Sequence, residues 1–216
     1  QVTDGTTTDT KEITVTVTDA NDQTPTYSAG STTPTVTEGD TAVDSNVAIT
    51  DTDTGDDNSC TLGGDDLLLF TCTLTDQTHY SLSFTSTPDY DSGTACDSGN
   101  TCDVTVTIND GVNDGATITY SITIADANDV TPTYTATNAG TVSVDEGDTA
   151  VDSGIAITDA DTVGTLACAT LANTDAALFD CDVTNGEYTL SFKTAPDYDA
   201  ADHCDAGNTC VVDLAI

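Results

Sequence analysis

Positive charge is almost missing from this chain. Two lysines, Lys11 and Lys193, stand against 38 acids in 216 residues, a formal net charge of -36. Nucleic acid and anionic lipid are held through Lys and Arg, so neither is an expected partner. Met and Trp are absent. No apolar run approaches the roughly 20 residues of a membrane-spanning helix, so membrane insertion is not expected. No leader-like segment opens the sequence, which therefore reads as a mature chain or an excised piece. Zinc lacks its usual donors, because no Cys-x-x-Cys pair occurs and only two histidines are present. His79 and His203 fall in expected loops as ordinary polar residues. No Gly-x-Ser-x-Gly elbow or glycine-rich phosphate loop occurs, and among 38 acids the adjacency of two carboxylates does not define a hydrolase. No enzyme is expected.

What is present is a strand-like alternation. Hydrophobic residues make up 37% of the chain, too many, and too regularly placed, for an acidic disordered segment. A heavily solvated acidic surface of the halophilic kind remains a rival account of acids outside motifs. Ile13-Thr14-Val15-Thr16-Val17-Thr18 has strict period two, as a half-buried β-branched strand requires. Short strands are also expected at Thr35–Asp40, Val47–Thr50, Leu67–Leu74, Tyr80–Phe84, Val104–Ile108 and Ile118–Ile124, separated by Gly- and Asp-rich turns. About seven strands in some 107 residues describe an all-β, seven-stranded Greek-key sandwich of immunoglobulin-like type, without helices. Tyr90 and Tyr198 read as core aromatics.

The pattern occurs twice. Asp19-Ala20-Asn21-Asp22-Gln23-Thr24-Pro25-Thr26-Tyr27 returns as Asp126-Ala127-Asn128-Asp129-Val130-Thr131-Pro132-Thr133-Tyr134, and its proline keeps the segment extended. Cys60, Cys72, Cys96 and Cys102 return as Cys168, Cys181, Cys204 and Cys210. An even, repeating cysteine set points to disulfides and an oxidising compartment. Four cysteines allow three pairings, and the nearest-neighbour one is favoured: Cys60–Cys72, Cys96–Cys102, Cys168–Cys181 and Cys204–Cys210. The phase of the repeat places a last strand at 10–18, ahead of the first linker, and a penultimate strand at 211–216. We expect these two segments to pair between adjacent copies.

The linkers and four further motifs resemble cadherin repeats. These are Glu38 and Glu146 after the first strand, Asp51/Asp53 and Asp159/Asp161, Asp89-Tyr90-Asp91 and Asp197-Tyr198-Asp199, and the hairpin acids Asp110 and Asp4. The resemblance implies tandem cadherin-like sandwiches joined by acidic linkers. It assigns residues 1–22 to a terminal strand and linker, 23–129 to a complete repeat, and 130–216 to a repeat without its last strand. It also implies Ca²⁺ at each joint. Glu38, Asp89, Asp91, Asp126, Asn128, Asp129, Asp159 and Asp161 would serve the internal joint, with Asp4 of a following copy. Asp19, Asn21, Asp22, Asp51, Asp53 and Asp110 would serve the first joint, with Glu146, Asp197 and Asp199 of a preceding copy. The donor chemistry agrees, since a crowd of carboxylates and carbonyls without nitrogen or sulfur suits a hard cation with 6–8 oxygen ligands. The expected role is an extracellular or cell-surface structural or adhesive rod whose partners are neighbouring copies. The alternative is a carbohydrate- or ligand-binding module array of a larger surface protein.

Overall fold

The computed structural model describes residues 2–55, 57–134, 141–200, 204 and 208–215. The chain divides into two units, Gln1–Ala125 and Asp126–Ile216.

The first unit begins with a two-residue ladder, β1 (Val2–Thr3) on β2 (Thr8–Asp9). Asp4 shapes its turn by accepting hydrogen bonds from the amides of Thr6 and Thr7 at 2.9 and 2.8 Å. The sandwich follows: β3 (Thr26–Tyr27), β4 (Thr35–Thr37), β5 (Ala42–Thr50), β6 (Ser59–Gly63), β7 (Phe70–Asp76), β8 (His79–Phe84), β9 (Thr101–Asn109) and β10 (Ile118–Ala125). They form two four-stranded sheets, ordered β4-β10-β9-β6 and β3-β5-β8-β7. Beyond the segments expected from the sequence the structure adds β3 and β6, giving eight strands, and β3 joins one sheet while β4 joins the other. Alternation explains the layering. Val104, Val106 and Ile108 of β9 and Tyr120, Ile122 and Ile124 of β10 point inward and are at most 1% exposed. They face Tyr80, Leu82 and Phe84 of β8 in one core.

Three local expectations are corrected. Ile13–Thr18 is not a strand: the segment is irregular, and Ile13, Val15 and Val17 are 81%, 78% and 90% exposed. Period two favours a strand only where a ladder and a covering face exist, and none of the described residues supplies them. Leu67–Leu69 is a 3₁₀ turn with Leu68 exposed, and the strand starts only at Phe70. Its cause is the buried Asp66, whose carboxylate accepts the amides of Asp97 and Asp103 at 2.8 Å each while its carbonyl accepts the Leu69 amide. That anchor holds the chain in a turn before it can extend. His79 opens β8 rather than lying in a loop; His203 lies outside the described residues.

The second unit holds β11 (Thr133–Tyr134), β12 (Ala150–Thr158), β13 (Thr170–Ala172), β14 (Phe179–Thr184), β15 (Glu187–Phe192) and β16 (Asp213–Ala215). One sheet runs β11-β12-β15-β14, and β13 pairs with β16 in a two-stranded ladder. Its buried core is Ile155, Phe179, Tyr188 and Leu190. Tyr198 is 68% exposed, a correction to its expected place in the core, whereas Tyr90 of the first unit packs partly buried against its core.

All four nearest-neighbour disulfides form. Cys60–Cys72 ties β6 of one sheet to β7 of the other, closing that edge of the sandwich. Cys96–Cys102 closes a short loop onto the start of β9. No helix among the described residues is long and apolar enough to cross a membrane.

Candidate metal centre

Each unit has an acidic group at its linker end and a second around its glutamate. At the linker end of the first unit, the extended linker lies against the loop after β5. Asp53 accepts the amides of Asp22 and Gln23 on one carboxylate oxygen, both at 2.7 Å. Asp19 accepts the amide and hydroxyl of Thr54 at 2.7 and 2.8 Å, bonds that hold its carboxyl below the usual carboxylate range. Asp51 accepts the Asp53 amide on Oδ1 at 3.2 Å, while its Oδ2 is buried and has no hydrogen-bond partner. The Asn21 side chain donates to the Asp110 carbonyl at 3.0 Å. Asp110 is 2% exposed. Burial pushes its carboxyl up, but the amides of Asn113 and Val112 outweigh this, and the net displacement is downward.

The second unit builds the same linker end. Thr162 donates its amide and hydroxyl to Asp126 as Thr54 does to Asp19, and the Val130 amide bonds Asp161 at 3.1 Å. Asp159 accepts the Asp161 amide at 3.3 Å. Asn128 presses against Gly164: a Cβ there would stand 2.5 Å from the Asn128 amide nitrogen, and its φ of +98° also favours glycine.

Around the glutamates, Glu38 is buried and accepts the Tyr90 amide at 2.7 Å; Glu146 accepts the Tyr198 amide at 3.1 Å and is exposed. Asp89 caps its own turn through the Ser92 amide at 3.0 Å, and Asp91 lies half-buried beside it in sequence. Glu146, Asp197 and Asp199 bring one carboxylate oxygen each within 4.8 Å of one another. A further grouping of Asp175 with Cys204 and Cys210 is structural, because those cysteines are joined to each other and offer no thiolate.

Hydrogen bonds thus tie Asp53 to the Asp22 amide and to Asp51, Asp19 to Thr54, and Asn21 to Asp110 at the linker end of the first unit. In the second unit they tie Asp126 to Thr162, Asp161 to the Val130 amide and Asp159 to the Asp161 amide. Asp4 sits apart from these groups, in its own exposed turn. The donors fit a hard cation. They are oxygens, several already oriented by backbone amides, and the lone buried oxygen of Asp51 is an acceptor without a donor. The sequence did not single out Asn113, whose side-chain amide ties Asn21 Oδ1 at 3.1 Å to the Gln23 carbonyl at 2.9 Å. Thr54 and Thr162 were also passed over, although each stands one residue after an Asp-x-Asp.

No protein-family model matches the chain. No curated protein matches it either. Solved structures do match. A protocadherin gammaB7 EC3-6 cis-dimer structure aligns over 83% of this chain and 44% of its own, with 21% identity and a TM-score of 0.53. Human CDH23 EC21-23 aligns over 84% and 57%, with 24% identity and a TM-score of 0.52. Protocadherin gamma C5 EC1-3 aligns over 86% and 62%, with 19% identity and a TM-score of 0.52. The chain thus spans 44% to 62% of the length of these three structures. At such identities the likeness bears on architecture alone: the chain has the cadherin-like β-sandwich fold.

Proposed function

We propose that this chain is an extracellular structural or adhesive protein whose successive sandwiches are stiffened by Ca²⁺ into a rod. The single observation that carries the metal reading is the buried, partnerless Oδ2 of Asp51 within a linker end built from oxygen donors. Without a cation, converging carboxylates repel; a divalent ion with 6–8 oxygen ligands reverses that sign. Repeats would run over 23–129 and 130–216. The ligands would come from Asp19, Asn21, Asp22, Asp51 and Asp53 at one joint and from Asp126, Asn128, Asp129, Asp159 and Asp161 at the other. The glutamate ends would supply Glu38, Asp89 and Asp91, or Glu146, Asp197 and Asp199. Asp110 and Asp4, whose Oδ1 atoms already shape their turns, would add a remaining oxygen. The role is not catalytic, and the partners are neighbouring copies joined end to end by strand complementation. Four disulfides suit an oxidising, extracellular setting. A carbohydrate-binding array would call for an aromatic platform away from the joints, and among the described residues the large exposed aromatic, Tyr198, lies inside the glutamate-end motif.

Small-angle scattering with calcium and after chelation tests the metal reading. Chelation should shorten the maximum dimension and broaden the distance distribution. An equally extended profile without divalent ions would defeat it.

A further inference from the structure

We propose that Asn100 is a positioning residue of the glutamate end, clamping Asp89-Tyr90-Asp91 onto Glu38, and that the Cys96–Cys102 bridge serves to present it. The proposal rests on the calcium reading above and adds a part that reading does not use.

The glutamate end of the first unit is assembled from two segments far apart in sequence. Glu38 follows β4, and Asp89 and Asp91 lie in the turn after β8. The backbone of Tyr90 joins them. Its amide donates to Glu38 Oε2 at 2.7 Å, and its carbonyl accepts the Asn100 side-chain amide at 3.1 Å. The Gly93 amide reaches the same carbonyl at 3.1 Å, but it belongs to the same turn and ties it to nothing outside. Asn100 is therefore the outer hold on this segment. Backbone bonded on both sides resists rotation, and the carboxylates of Asp89 and Asp91 flank it.

Asn100 is itself held. It directly precedes β9, and its carbonyl accepts the Ile124 amide of β10 at 2.8 Å. Cys96 and Gly99 exchange backbone hydrogen bonds at 2.8 and 3.1 Å, in a turn that Gly99 closes at a φ of +78°. The Cys96–Cys102 bridge fastens that turn to β9, with its two cysteines 6% and 0% exposed.

The residue type follows from the chemistry. Asparagine donates to a carbonyl, whereas the isosteric aspartate would set an acceptor against it and add a negative charge beside three others. In a chain with 38 acids this position carries the neutral residue. Asn100 Oδ1 is buried and accepts no hydrogen bond from the protein, a cost that a cation at this end would offset.

The second unit repeats the arrangement. The Tyr198 amide donates to Glu146 Oε2 at 3.1 Å, and its carbonyl accepts the Asn208 amide at 3.0 Å, over the same separations of 52 and 10 residues. Asn208 stands ahead of Cys210 as Asn100 stands ahead of Cys102. There Glu146, Asp197 and Asp199 each bring an oxygen within 4.8 Å of the others. The clamp and the bridge thus occur together in both units.

Terbium stands in for calcium in the test. Luminescence sensitised by Tyr90, isolated as the difference from Tyr90→Phe, reads the glutamate end of the first unit. Displacement of terbium by calcium gives the affinity of the folded 216-residue chain. Asn100→Ala should weaken it about 10-fold or more, as loss of a group that orients a metal ligand does. Cys96→Ala with Cys102→Ala should also weaken it, but should add little in the Asn100→Ala background, because both act through one side chain. Opening Cys60–Cys72, which ties β6 to β7, should lower stability and leave the affinity unchanged. In chelator, hydrogen exchange at the Tyr90 amide should quicken in Asn100→Ala. Equal affinity of Asn100→Ala and wild type, full additivity of the two losses, or the same weakening on opening Cys60–Cys72 overturns the proposal. The two readings fail differently. A wild type that takes up no calcium removes both, whereas calcium uptake indifferent to Asn100 removes the clamp alone.

Discussion

Replacing Asp51 by Asn should change the sign of its effect with the metal. Asp51 Oδ1 accepts the Asp53 amide, a bond that the asparagine oxygen preserves, and Oδ2 is buried without a donor. Two carboxylates about 4 Å apart repel by about 1 kcal/mol in bulk water and by about 4 kcal/mol at an effective dielectric of 20. Removing one charge, and placing an amide donor among acceptors, should therefore stabilise the chelated protein by about 1 kcal/mol. With calcium the balance inverts. A site with a dissociation constant on the order of 10⁻⁴ M, held at 100 times that concentration, stabilises the folded form by about 2.7 kcal/mol. Loss of a ligand oxygen should remove most of that increment. Urea unfolding of wild type and Asp51→Asn, in chelator and in calcium, gives the four free energies needed. An undiminished calcium increment, or a variant less stable than wild type in chelator, would refute the reasoning.

Opening the Cys96–Cys102 bridge by a double Ala substitution should cost about 2 kcal/mol from its short loop, read as a lower urea midpoint. Tyr120→Phe removes the hydroxyl that joins Tyr80 to Asp44 and should cost about 1–3 kcal/mol in the same assay, because the buried Tyr80 hydroxyl loses its partner while Asp44 keeps the Gly30 amide. Burial, and then the Asp152 carboxylate, push the Tyr188 hydroxyl up to about 12. A pKa raised on folding stabilises fully below the ordinary value near 10 and is lost as pH rises through the folded value. The second unit should therefore weaken between pH 10 and about 12, and Asp152→Asn should lower the pH at which the Tyr188 absorbance, isolated as the difference from Tyr188→Phe, appears; an unchanged Tyr188 titration would contradict this.

The architecture was legible because side-chain alternation is a local property. Val104-Thr105-Val106-Thr107-Ile108 and Ile118–Ile124 show which face is buried before any partner is known, and both are sealed in the structure. The repeat showed one set of four cysteines used twice and favoured nearest neighbours among three pairings, and the structure forms those four bonds. The linker ends were legible in part: Asp51, Asp53 and Asp19 carry their own spacing, and Thr54 and Thr162 follow an Asp-x-Asp that could have marked them, but Asn113 acts through hydrogen bonds to the linker and follows no motif that the sequence alone marks. Leu67–Leu69 misled because three leucines resemble a core strand, whereas a buried acid just before them fixes a turn.

By itself the sequence determined the strand period, the doubling of the pattern, the recurrence of the four-cysteine set and the crowding of oxygen donors on short extended linkers. Each is a property of residue type and spacing along the chain. The tertiary structure alone decided which alternating segments become strands, because a ladder needs a neighbour. Ile118–Ala125 has two and turns Tyr120, Ile122 and Ile124 into the core; Ile13–Thr18 has the same alternation, no neighbouring strand among the described residues, and lies open to water.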